Sequence, residues 1–64
     1  MTQKELLYIT DAYKHEDNII KICEEIVNYI QDLSLINFLE NEIKKHNIMK
    51  DKLLNIMEEA KNEW

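Results

Sequence analysis

Ile30-Gln31-Asp32-Leu33-Ser34-Leu35 is the stretch whose reading decides the fold. It lies at the middle of a 64-residue chain, where a helical hydrophobic pattern stops and starts again. Asp32 and Ser34 are both suited to opening a helix, because a short side-chain oxygen accepts the free N–H groups of a first turn. Asp32 also sets a negative charge at the positive end of the helix that follows. The stretch therefore reads as a turn between two helices of nearly equal length. The alternative is one unbroken rod of roughly 90 Å at 1.5 Å per residue. A rod this apolar would need an equally long coiled-coil partner.

Upstream of the turn, Thr2-Gln3-Lys4-Glu5 has the form of a capping box, with Thr2 as the cap and Glu5 reaching back to it. Helix one is expected over about residues 3–31. Its apolar positions advance by alternating threes and fours: Leu6, Ile9, Tyr13, then Ile20, Cys23, Val27 and Ile30, with Glu16 in the one polar place. Beside this row lie Ala12, Ile19 and Ile26, and beyond them Tyr8, His15, Ile22 and Tyr29. Such a face is wider than a two-stranded seam requires. After a turn over about 32–34, helix two is expected over about 35–62. Its main row is Ile36, Leu39, Ile43, His46, Lys50, Leu53, Met57 and Ala60, flanked by Leu35, Glu42, Met49 and Ile56. Asp17–Lys21 and Glu40–Lys44 have the four-residue spacing at which opposite charges support a helix.

Folding the chain at Leu33 matches the two main rows layer by layer. Ile30 meets Ile36, Val27 meets Leu39, Cys23 meets Ile43, Ile20 meets His46, Glu16 meets Lys50, Tyr13 meets Leu53, Ile9 meets Met57 and Leu6 meets Ala60. Every layer is apolar except two neighbours at the centre. The expected fold is all-α, an antiparallel two-helix hairpin in a single domain. Its neighbouring rows, with Ile19, Ile26, Met49 and Ile56, would leave a large apolar patch in water. A second hairpin is expected to cover it, giving a homodimeric four-helix bundle.

Composition points the same way. The chain has no Gly and no Pro, 45% hydrophobic and 33% charged residues. Turn-rich β structure needs Gly and Pro, and disorder needs fewer Ile and Leu. A core this small usually requires a disulfide, a metal or a partner chain. Cys23 is the only cysteine, so no intrachain disulfide can form. A lone thiol fits a reducing cytoplasm, the expected location. Net charge is −5, with eight Lys, no Arg and 13 acids. Neither half is basic, which argues against nucleic acid or an anionic membrane as partner. No apolar run approaches the length of a membrane span, and the polar start does not resemble a secretory signal.

His15, Glu16, Glu42, His46 and Lys50 cluster near the helix midpoints and can be read in two ways. In the structural reading, Glu16 and Lys50 form an ion pair across the seam and His46 is half-buried with a hydrogen-bond partner. Such a polar layer fixes register and orientation. In the alternative reading, Glu16, Glu42 and His46, with His15, hold iron, manganese or zinc at the centre of the dimer. Glu42 and His46 are four residues apart, unlike the three-residue Glu-x-x-His spacing of di-iron bundles. Cys23 reads as a small seam hydrophobe, without a His and an acid arranged to activate it. The three tyrosines read as core-edge residues with hydroxyls in water. Trp64 reads as a cap on the end of the bundle.

Asp11-Ala12-Tyr13-Lys14-His15-Glu16, Cys23, Ile30-Gln31-Asp32, and Leu39 through Glu42 to His46 together resemble the coat F type domain of spore coat proteins from spore-forming Firmicutes, which are similar to ferritin-like bundles. The resemblance spans nearly the whole chain. It implies a structural, spore-associated protein without established catalysis, with other spore proteins as possible partners. It matches His15, Glu16 and His46 to the family's polar centre. Where a further histidine is expected after His46, this chain has Met49 and Lys50. Small acidic helical hairpins of sporulating bacteria also include phosphatases of response regulators. Their Ser-Gln-x-Leu-Asp type motif is not met, since Ser34 leads into Leu35-Ile36-Asn37-Phe38.

Overall fold

The computed structural model describes residues 1–62. The expectations for Glu63 and Trp64 lie outside the described residues. The chain forms two helices, α1 (Gln3–Val27) and α2 (Leu33–Asn62), packed side by side as an antiparallel hairpin measuring 48 × 15 × 12 Å. At 1.5 Å per residue, the 30-residue α2 alone spans about 45 Å and sets the long dimension.

Both helix starts are built by the residues the sequence marks. The Thr2 hydroxyl accepts from the Glu5 backbone N–H at 3.0 Å, and the Glu5 carboxylate accepts from the Thr2 N–H at 2.8 Å. That reciprocal bond is the main cause holding the Glu5 carboxyl below its ordinary range. Asp32 caps α2: its Oδ1 accepts from the Leu35 N–H at 3.0 Å, and its carbonyl accepts from the Ile36 N–H at 2.9 Å.

The boundaries at the turn differ from the sequence expectation. Helix α1 ends at Val27 rather than near residue 31, and α2 begins at Leu33 rather than near 35. Two physical causes act. The last turn of α1 tightens, with Asn28 and Tyr29 donating to Glu25 and Ile26 three residues back, and Asn and Tyr are weak helix formers. Asp32 is unfavourable at the negative end of α1 but favourable at the start of α2, so it opens the second helix and Ser34 becomes an ordinary first-turn residue. Although Ile30 has left the helix, it remains half-buried and still closes the end of the seam. None of the described residues needs a positive φ, which is how a chain without Gly reverses direction.

The seam follows the two main rows. Ile20, Leu39 and Ala60 are buried, and Leu6, Ile9, Tyr13, Cys23, Val27, Ile36, Ile43, Leu53 and Met57 are half-buried along it. Thr10 also turns inward. Its hydroxyl donates back to the Leu6 carbonyl at 2.8 Å and lies 3.5 Å from the Met57 sulfur. In an antiparallel pair, the row preceding the seam in each helix falls on the same side. Ile19 and Ile26 of α1 therefore share one flank with Leu35, Met49 and Ile56 of α2. These five side chains are 37% to 47% exposed. The opposite flank carries Asp17, Glu24, Glu40 and Asn47. Asp17 pairs with Lys21 at 2.9 Å as expected, whereas Glu40 and Lys44 make no such pair. Among the described residues, no helix is long and apolar enough to cross a membrane.

Candidate functional site: the split polar layer

Two adjacent polar layers interrupt the seam near its middle, and the structure divides them between the flanks. The expected ion pair between Glu16 and Lys50 does not form. Lys50 reaches Asp17 instead, with Nζ 2.7 Å from Oδ1, while Glu16 accepts a hydrogen bond from His46 Nδ1. The ring of His46, expected level with Ile20, reaches Glu16 one turn nearer the start of α1. The cause is side-chain reach and direction. Glu16 and Asp17 are neighbours in sequence and diverge by about 100° around the helix. The long lysine stem crosses the seam to the carboxylate on the polar flank, leaving Glu16 for the compact imidazole.

On the polar flank, Asp17 accepts from Lys50 and pairs with Lys21. The Lys50 contact, followed by Lys21, holds the Asp17 carboxyl down to about 2 from an ordinary 3.8. Asp17 in turn holds the Lys50 ammonium above its usual range. The Lys50 ammonium also sits 5.4 Å from the centre of the Tyr13 ring, within cation–π range.

On the apolar flank, His46 stands between two carboxylates. Its Nδ1 is engaged by Glu16, and its Nε2 lies 3.6 Å from Glu42 Oε2. A carboxylate can only accept, so the Nδ1–H donates to Glu16, and Nε2 faces Glu42. The side chains of His46, Glu42 and Glu16 are 26%, 27% and 19% exposed, so the cluster is neither sealed nor freely solvated. Lys45 approaches the other oxygen of Glu42 at 3.5 Å.

Of the four candidate metal ligands, three therefore converge: Glu16, His46 and Glu42. His15 is exposed and makes none of these contacts. Among the described residues, no three His, Cys, Asp or Glu side chains of the one chain are placed to hold an ion, and no pocket is present. Sequence reasoning missed Asp17 as a seam residue. The available signal was its seven-residue spacing from Thr10, which places both just outside the main row. Cys23 is half-buried in the seam with a free thiol. Tyr8 and Tyr29 are exposed, and Tyr13 is half-buried against Lys50.

No family model, curated protein or solved structure matches the chain.

Proposed function

We propose that the protein is a non-enzymatic assembly module, a hairpin that pairs with a second copy through its apolar flank to make a four-helix bundle. The observation that carries this reading is the imbalance between burial and exposure. Among the described residues, three are buried within one hairpin, while Ile19, Ile26, Leu35, Met49 and Ile56 line one face in water. A core this small supplies at most about 3–5 kcal/mol in a chain of this length. Covering the flank with its own copy buries the same rows twice, since a two-fold interface is self-complementary. It also adds the second layer that a stable helical domain requires. The likeness of the sequence to coat F type domains is what suggests a spore coat as the setting of the assembly.

Sedimentation equilibrium at micromolar concentration tests the reading. The expected species has twice the 7.8 kDa chain mass. A folded, monodisperse single chain would overturn it.

A further inference from the structure

We propose that two copies of Glu42 and His46, brought together across the two-fold axis of this dimer, bind one divalent transition-metal ion of tetrahedral preference, with Glu16 orienting each imidazole from behind. The inference rests on the dimer reading above and adds a ligand to it.

The geometry of one chain supplies half of such a site. His46 Nε2 and Glu42 Oε2 are 3.6 Å apart, too far for a good hydrogen bond. Two ligands of one tetrahedral ion with bonds of about 2.0–2.1 Å stand about 3.4 Å from each other. Four-residue spacing on a helix is also how paired side chains share an ion on one face. Glu16 holds the other ring nitrogen, the outer carboxylate arrangement that fixes tautomer and ring direction in metal-bound histidines. Lys50 would oppose a cation here, but its ammonium is drawn to the opposite flank by Asp17.

Position completes the case. His46 lies on the seam midline near the middle of α2, and Glu42 lies on the apolar flank beside it. A two-fold axis running in the plane of that flank through its centre brings this point against its own copy, whichever way the second hairpin runs. Four ligands then converge, two imidazoles and two carboxylates. Without an ion, the same contact crowds two Glu42 carboxylates into an apolar interface, which is costly for like charges. A dication relieves that repulsion. Imidazole nitrogen and carboxylate oxygen together suit zinc.

The test uses the full chain without a tag, stripped of metal. Sedimentation equilibrium is run with and without zinc, and zinc is titrated by calorimetry. Cobalt(II) serves as a visible probe of tetrahedral coordination. The expected result is one zinc per two chains, intense visible cobalt bands, and a tighter dimer in zinc. Glu42→Gln, on the surface of a helix and compatible with folding, is expected to weaken zinc binding about 100-fold, and Glu16→Gln about 10- to 100-fold. Circular dichroism checks that both variants remain helical. A metal-free dimer that takes up no zinc would overturn this inference and leave the dimer standing. A monomer with and without zinc would overturn both. Zinc binding untouched by Glu42→Gln, or abolished by His15→Gln, would place the ion elsewhere and overturn the assignment.

Discussion

Leu54 and Ile56 stand two residues apart on α2 and are equally exposed, at 38% each. They face opposite flanks. Leu54 follows the seam row and stands with Asp17, Glu24 and Asn47, an isolated apolar side chain among polar ones. Ile56 precedes the seam row and continues a face with Ile19, Ile26 and Met49. Exposure alone therefore does not distinguish the two flanks; the neighbours of each side chain do. The central polar layers follow the same division. The charged Asp17–Lys50 pair turns to the polar flank, and the His46 cluster turns to the apolar one.

The largest effect expected from this contrast comes from a single charge. In the proposed dimer, Ile56→Glu would place two carboxylates in the interface, one from each copy, and is expected to weaken association at least about 100-fold, or about 3 kcal/mol. At micromolar concentration the variant is expected to sediment as a monomer with reduced helical ellipticity. Leu54→Glu is expected to change stability by less than about 0.5 kcal/mol and to remain dimeric. Equal losses from the two substitutions would remove the distinction between the flanks.

A smaller effect separates the two halves of the polar layer. Glu16→Gln replaces a charge-assisted acceptor at a partly buried imidazole and is expected to cost roughly 1–2 kcal/mol in urea denaturation. Replacing both members, Glu16→Leu with His46→Leu, is expected to recover that loss or exceed the parent, because an apolar pair fills the seam without desolvation. Lys50→Met leaves Asp17 still paired with Lys21 and is expected to lower the urea midpoint less than Glu16→Gln does. The reverse ranking would mean that the lysine pair, not the imidazole, fixes the register.

The rows that bury this seam were legible because helical periodicity is a property of spacing alone. Leu6 to Ile30 and Ile36 to Ala60 face each other as their three-and-four steps require. The helix starts were legible because Thr2, Glu5 and Asp32 act on backbone groups a few residues away. The end of α1 was not legible. Ile30 keeps the apolar rhythm after the helix has stopped, so periodicity overran a boundary set by Asn28, Tyr29 and the attraction of Asp32 to a helix start. The partners inside the polar layer were also hidden. Sequence placed Glu16 opposite Lys50 by register, but the choice between Glu16 and the adjacent Asp17 depends on stem length and on the direction in which each side chain leaves its helix. Glu42 was legible as a neighbour of His46 by spacing, while its 3.6 Å separation from Nε2 belongs to the structure alone.

A cap substitution asks whether the flank difference matters to folding itself. Thr2→Ala removes the oxygen that holds the Glu5 N–H, far from both flanks, and costs about 0.5–1 kcal/mol per chain. If the hairpin folds only as it dimerises, the loss counts twice and the apparent dissociation constant rises by about 5- to 30-fold. That is the expected outcome for a hairpin in which three of the described residues are buried. An unchanged constant, with helical ellipticity retained on dilution, would show that the hairpin stands without its twin.

The smallest effect lies in acid and belongs to the polar flank. Asp17 is held down to about 2 from 3.8, chiefly by Lys50 and then by Lys21, so its folded-state carboxyl binds a proton less readily than the unfolded chain does. Its contribution is therefore complete above 3.8 and is lost as the pH falls towards 2. Asp17→Asn is expected to flatten the fall of helical ellipticity within that interval and to lower stability above it, where the parent's pair is intact. Because the Asp17 pairs are partly open to water, added salt is expected to shrink the difference between parent and variant. Ile56→Glu is expected to show no such interval of its own near 2, since its defect is exclusion of a carboxylate from an apolar surface, and protonating that carboxylate relieves the defect. The two variants thus bend the acid limb in opposite directions: loss of a pair that acid breaks, against recovery of a contact that acid restores. Parallel curves for the two would mean that the flanks meet the same surroundings and that neither is covered by a second chain.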